Sequence, residues 1–134
     1  MELSAVEQLL LFANSIHPLN TEEETAFASH WQAGTAKRKT ILTAAGERER
    51  YLYFVVEGVQ RAFHVSDEGR EATIVFTYPY SFSGVADSFL TQTASLYFFE
   101  TLTASSFLQL DYQHFQYLLK TYPGIQQLFF KATS

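Results

Sequence analysis

Between Tyr51 and Tyr78 the chain reads YLYFVVEG, VQRAFHV, SDEG and REATIVFTY, three apolar runs separated by one glycine and one Asp-Glu-Gly turn. Leu52, Phe54 and Val56 alternate with Tyr51, Tyr53 and Val55. Val59, Phe63 and Val65 alternate with Gln60, Ala62 and His64, and Ile74, Phe76 and Tyr78 with Thr73, Val75 and Thr77. A period of two over three successive segments, rich in β-branched and aromatic residues, predicts antiparallel strands. Gly69 supplies the positive-φ position of a hairpin turn. Gly58, between two strand patterns, marks a tight bend or a close backbone approach.

The flanking segments read as packing around this unit. Ser4 and Glu7 fit a capping box, and Val6, Leu9, Leu10, Ala13 and Ile16 recur at helical spacing until Pro18. A second box at residues 21–24 opens a helix that carries Phe27 and Trp31 and stops at Gly34. Residues 37–42 read as an edge strand guarded by its charges, and residues 45–50 as a charged, solvated turn. After Gly84, residues 85–90 make one helical turn. Residues 96–102, with Tyr97, Phe98 and Phe99 as core, and residues 107–110 are further strands, joined at Ser105 and Ser106. Asp111 caps a helix carrying Phe115, Leu118, Leu119 and Tyr122, and Pro123 opens another. Many short strands flanked by helices predict a single, mainly β domain over residues 1–134, a jelly roll.

Several functions are argued against. The net charge of −5 opposes direct nucleic-acid binding. With no cysteine there is no disulfide, thiolate nucleophile or Cys-ligated metal. His17, His30, His64 and His114 lack the close pair on one strand that a metal-dependent cupin carries, so no metal site is expected. No nucleophile triad or glycine-rich phosphate loop is recognisable, and the expectation is no catalytic residue and no enzyme. The apolar run at residues 9–12 is too short for a bilayer and lacks a basic lead-in, so a cytoplasmic protein without a membrane anchor is expected.

From Tyr51 to Arg61, and on through residues 66–71, Phe82-Ser83-Gly84, Ser88-Phe89-Leu90, residues 99–102 and residues 110–123, the chain resembles the cyclic-nucleotide-binding sensor domain of the Crp/Fnr transcription regulators. The resemblance implies a double-stranded β-helix, or jelly roll, holding a small effector. In that family a phosphate-binding cassette opens with Gly-Glu, and an Arg follows about ten residues later. The Glu binds the ribose hydroxyl, and the Arg pairs with the cyclic phosphate alongside backbone N–H groups of a short helix. A long helix then dimerises and leads to a helix-turn-helix domain.

This chain departs from the pattern. Gly84 matches the glycine, but Val85 stands in place of the Glu and Ser95 or Leu96 in place of the Arg; no arginine follows Arg70. The effector-pocket candidates are therefore Gly84, Val85, Ala86, Asp87, Ser95 and Leu96. Arg61 is either a substitute phosphate partner or an outer-face residue. No cofactor is expected, and neither cyclic AMP nor cyclic GMP should bind usefully; the effector stays open. Ile125, Leu128 and Phe129 are candidates for the dimer helix of a homodimer, inside which the chain is expected to stop at Ser134. DNA would be reached only through a C-terminal domain outside this sequence. The alternative is a stand-alone jelly-roll binding or interaction module without DNA control.

Overall fold

The alternation in the central runs has two buried destinations. The computed structural model describes residues 2–132. Helices α1 (Ala5–Ile16) and α2 (Thr21–Ser29) precede β1 (Gln32–Ala36), β2 (Ile41–Thr43), β3 (Tyr51–Glu57), β4 (Gln60–Val65), β5 (Glu71–Thr77) and β6 (Phe82–Ser83). The short helix α3 (Ala86–Thr91) follows, then β7 (Phe98–Thr101), β8 (Ser105–Asp111), α4 (Tyr112–Thr121) and α5 (Pro123–Ala132). The strands form two four-stranded sheets, ordered β1-β8-β3-β6 and β2-β7-β4-β5, antiparallel throughout the pairs described. This is the expected jelly roll with flanking helices.

The first sheet is covered on both faces. Phe54 of β3 and Leu108 and Leu110 of β8 pack with Leu9, Phe27, Phe115, Leu118, Ile125 and Leu128 from the helices. Tyr53 and Val55 of β3 and Phe107 of β8 face the other way, into the roll, against Phe99 of β7. A strand buried on both faces reads as a nearly continuous apolar run, which is why Tyr51-Leu52-Tyr53-Phe54-Val55-Val56 carries no polar face.

Several local expectations need correcting. β3 and β4 are not paired: β3 bonds to β8 and β6, and β4 to β5 and β7. Gly58 makes the close backbone approach expected of it, carrying the chain between sheets at φ 93, where a Cβ would lie 2.5 Å from the Ala104 carbonyl oxygen. Only β4 and β5 form the expected hairpin, with Gly69 at φ 80. A register shift between Ala62 and Phe63 breaks the alternation and buries both. Gly34 does not end α2 but sits inside β1, where its missing side chain makes room for Gln109. Residues 37–40 turn at Lys39, φ 62, before β2, and Ser105 and Ser106 belong to β8 rather than to the turn.

The helix ends follow their caps. Glu7 N–H donates to Ser4 Oγ and Ser4 N–H to Glu7 Oε1, both at 3.1 Å. The second box starts one residue earlier than expected, with Asn20 rather than Thr21 as the cap. Its Glu23 also accepts from the Gly124 N–H at 2.6 Å, fixing the start of α5 against α2. Asp111 caps α4 by accepting from the His114 N–H at 2.9 Å.

The dimer-helix candidates lie on α5. Ile125 and Leu128 are fully buried and Phe129 nearly so, all within the protomer's own core. These three cover the helix-side face of the first sheet.

Candidate functional site

The site is built where β6 runs into α3. Gly84 adopts φ 116, a conformation that favours glycine. A Cβ there would sit 3.1 Å from the Tyr51 carbonyl oxygen and 3.3 Å from Tyr53 Cδ2, so the bend is pressed against β3. Val85 then caps α3 without a side-chain hydrogen bond, and its side chain enters the roll. There it packs with Tyr53, Val55, Phe99 and Phe107. The Tyr53 ring lies 4.9 Å from that of Phe107 and 5.5 Å from that of Phe99. The chain's own aromatic side chains thus occupy the interior facing the cassette.

The residue that sequence reasoning missed is Glu49. The charged stretch at residues 45–50 reads as a solvated turn, yet Glu49 is 0 % exposed. Its Oε2 accepts from the Thr43 hydroxyl, while Oε1 has no well-formed hydrogen bond. That free oxygen lies 3.5 Å from where a Cβ on Gly84 would be. Burial pushes the carboxyl up to about 7, against smaller opposing pulls from the Thr43 hydroxyl and the facing backbone N–H groups of Tyr51 and Val85. Burial, and then the Glu49 charge, hold the Tyr53 phenol well above its usual range.

The backbone ties Glu49 to the cassette. Glu49 N–H donates to Ser88 Oγ of α3 at 2.8 Å, and Gln92 Nε2 donates to the Glu49 carbonyl at 3.2 Å. Residues 46 and 47 exchange backbone bonds with Ser95: Gly46 N–H to the Ser95 carbonyl at 2.8 Å and Ser95 N–H to the Glu47 carbonyl at 2.7 Å. The signal was present in the sequence as phase. Glu49, Tyr51, Tyr53 and Val55 are odd-numbered and share the inward face of one extended segment.

The candidate residues divide accordingly. Gly84 and Val85 form the bend and its inward side chain. Ala86 and Asp87 are exposed on the first turn of α3. Ser95 is buried at 3 % exposure, with its hydroxyl committed to Tyr97, donating to the carbonyl at 2.6 Å and accepting from the N–H at 3.0 Å. Leu96 is 73 % exposed and projects away from the core. Arg61 is held by Glu71 at 2.7 Å and Glu100 at 3.1 Å, donates to Thr73, and lies over the Phe63 ring. Those carboxylates already neutralise it, so it is not brought to the cassette. A groove of 680 Å³ runs on the helix side of the cassette, lined by Tyr51, Phe82, Asp87, Tyr112, Gln126 and Phe129 among others. Among the described residues no group of three or more His, Cys, Asp or Glu side chains is placed to hold a metal ion, and no helix is long and apolar enough to cross a membrane.

Comparison with known proteins agrees with this geometry. Residues 35–122 match the profile of the family described as the cyclic nucleotide-binding domain. No curated protein sequence matches the chain. Among solved structures, the catabolite activator protein of Thermus thermophilus is similar at 22% identity and TM-score 0.74, over 85% of this chain and 53% of that one. A cyclic nucleotide-binding domain from Methylobacillus flagellatus is similar at 18% identity and TM-score 0.82, over 96% of this chain and 73% of that one. The N-terminal domain of a transcriptional regulator from Streptomyces coelicolor is similar at 23% identity and TM-score 0.72, over 86% of this chain and 80% of that one. This chain thus spans about half the length of the catabolite activator protein, and it belongs to the cyclic nucleotide-binding domain family.

Proposed function

We propose that this domain is the effector-sensing part of a Crp/Fnr-like transcription regulator whose cassette no longer takes a cyclic nucleotide in the family's usual way. It is a binding and not a catalytic domain. It works in the cytoplasm as a homodimer, with DNA contacted by a separate domain. The observation that carries the reading is the occupied roll. Val85, Tyr53, Phe99 and Phe107 fill the interior beside the cassette, and the side chain lying against Gly84 is a carboxyl rather than an arginine.

A cyclic phosphate placed there would lose two charge-assisted contacts, each worth roughly 1.5–3 kcal/mol. It would also have to displace packed aromatic rings. Sensing then acts through differential affinity of an effector for two postures of the assembled regulator. Isothermal calorimetry with cyclic AMP and cyclic GMP tests the reading. The expected result is no dissociation constant tighter than about 10 μM, the level at which signalling would be plausible. Saturable binding below that level contradicts it.

A second expectation follows from charge. Residues 1–134 alone carry a net charge of −5 and should give no sequence-selective duplex-DNA binding at physiological salt. A gel-shift assay showing saturable, sequence-selective retardation would contradict this.

A further inference from the structure

We propose that Glu49 sets the ligand selectivity of the roll: its carboxyl occupies the anion position of the cassette, rejecting phosphate-bearing ligands and favouring uncharged ones with an N–H donor. The inference rests on the sensor reading above and deepens it. Position comes first. The Glu49 carboxyl is fully buried, lies against Gly84, and faces the Val85 N–H. A ligand's anionic group entering at this bend would meet a carboxylate in its place.

Attachment comes second. Thr43 holds one carboxyl oxygen, and Ser88 and Gln92 hold the backbone on either side of the side chain. The Glu49 backbone is therefore fixed to α3, and swinging the carboxyl aside releases its hydrogen bond from Thr43. The third observation is charge. The groups facing Glu49 are Thr43 from β2, Tyr51 and Tyr53 from β3, and the Val85–Ser88 turn with Gln92 from the cassette. None is cationic, and Glu49 makes no ion pair among the described residues. Like charges brought together in a buried site, with no cation between them, repel strongly.

The same arrangement indicates what is accepted. Glu49 Oε1 is buried and has no well-formed hydrogen bond, and besides Thr43 only the backbone N–H groups of Tyr51 and Val85 face the carboxyl, so it has acceptor capacity of the kind that native interiors normally satisfy. The walls beside it are the rings of Tyr53, Phe99 and Phe107. A flat, uncharged nitrogen heterocycle with an N–H group has to part the same rings as a cyclic nucleotide, so the rings do not discriminate between the two and the Glu49 carboxyl does.

The test compares adenosine, which is uncharged, with cyclic AMP, whose diester charge is constant over the range used. Both are titrated into the wild-type domain and into Glu49→Gln at about pH 6 and about pH 8, either side of the Glu49 titration. In the wild type at the higher pH, adenosine should bind at least about tenfold more tightly than cyclic AMP. Wild-type affinity for cyclic AMP should fall about fivefold from the lower to the higher pH, the linkage that a one-unit rise of the Glu49 pKa on binding produces over this window. In Glu49→Gln, cyclic AMP affinity should be flat with pH and no weaker than the wild-type value at the lower pH. A pH-independent wild-type affinity for cyclic AMP overturns the proposal even if the variant does not fold. A folded variant that binds adenosine but still refuses cyclic AMP overturns the role of Glu49 and leaves the sensor reading standing. Failure of both proteins to bind either probe overturns the roll as a ligand site.

Discussion

Stability of the domain is expected to fall by on the order of 3 kcal/mol as pH rises from 4.5 to about 7, and Glu49→Gln is expected to remove that fall. The folded-state pKa of Glu49 is raised, so the folded protein binds the proton more tightly than the unfolded chain. The contribution is complete below the unfolded value of 4.5, shrinks as pH climbs, and is gone once pH passes about 7. His30 works in the opposite sense. Burial, and next the positive charge of His114, lower its pKa, so its contribution grows as pH rises through the usual histidine range. The reading that isolates Glu49 is therefore the difference between wild type and Glu49→Gln in urea denaturation across this window. Parallel pH profiles for the two proteins would remove Glu49 from the account.

Leu128→Ala should cost about 2–5 kcal/mol, the range for emptying a buried leucine site. Leu128 is 0 % exposed and packs in the helix-side core with Phe54, Phe115 and Leu118. Removing its side chain leaves a cavity under the first sheet rather than a gap between subunits. The loss of Tm should be the same at low and high protein concentration. A residue at a subunit interface would behave otherwise, because association makes Tm depend on concentration and losing the interface removes that dependence. Thermal unfolding over a hundredfold range of concentration decides between them, and a deficit that appears only at high concentration would return Leu128 to the dimer face.

The sequence was most legible where one physical signal acted alone. The box at Ser4 and Glu7, the Asp111 cap, Pro123 at the start of α5 and the turn at Gly69 are local chemistry, and each stands where it was expected. Legibility failed where long-range pairing decides. Nothing local distinguishes a β3–β4 hairpin from a crossing between sheets, because Gly58 suits both. Gly34 looked like a helix stop because its real constraint, the side chain of Gln109, lies 75 positions away. Apolar residues on α5 suit a partner subunit or the protomer's own sheet equally well, and the turn-back at Gly124 onto Glu23, which packs Ile125 and Leu128 under the first sheet, is a contact no local pattern announces.

The candidate site was half legible. The departures at Val85 and Ser95 were visible as missing charges, and the structure gives Val85 a packing role and Ser95 a hydrogen-bonding one. Glu49 was hidden by its neighbours. Glu47, Arg48 and Arg50 are exposed and made the stretch look solvated, while Glu49, two residues before Tyr51 and in its phase, is the one of them that is buried. Charge composition describes a segment, but burial is decided residue by residue.

The central claim is that a buried carboxyl without a cation stands at the cassette. The measurement that reaches it most directly is a carbon-13 NMR titration of the glutamate side-chain carboxyls, with Glu49 assigned by comparison with Glu49→Gln. The account predicts one carboxyl, absent from the variant, that titrates near 7, well above the ordinary glutamate value of 4.5. A Glu49 signal that titrates at or below that ordinary value would mean the carboxyl is solvated or paired with a cation, and would contradict the account.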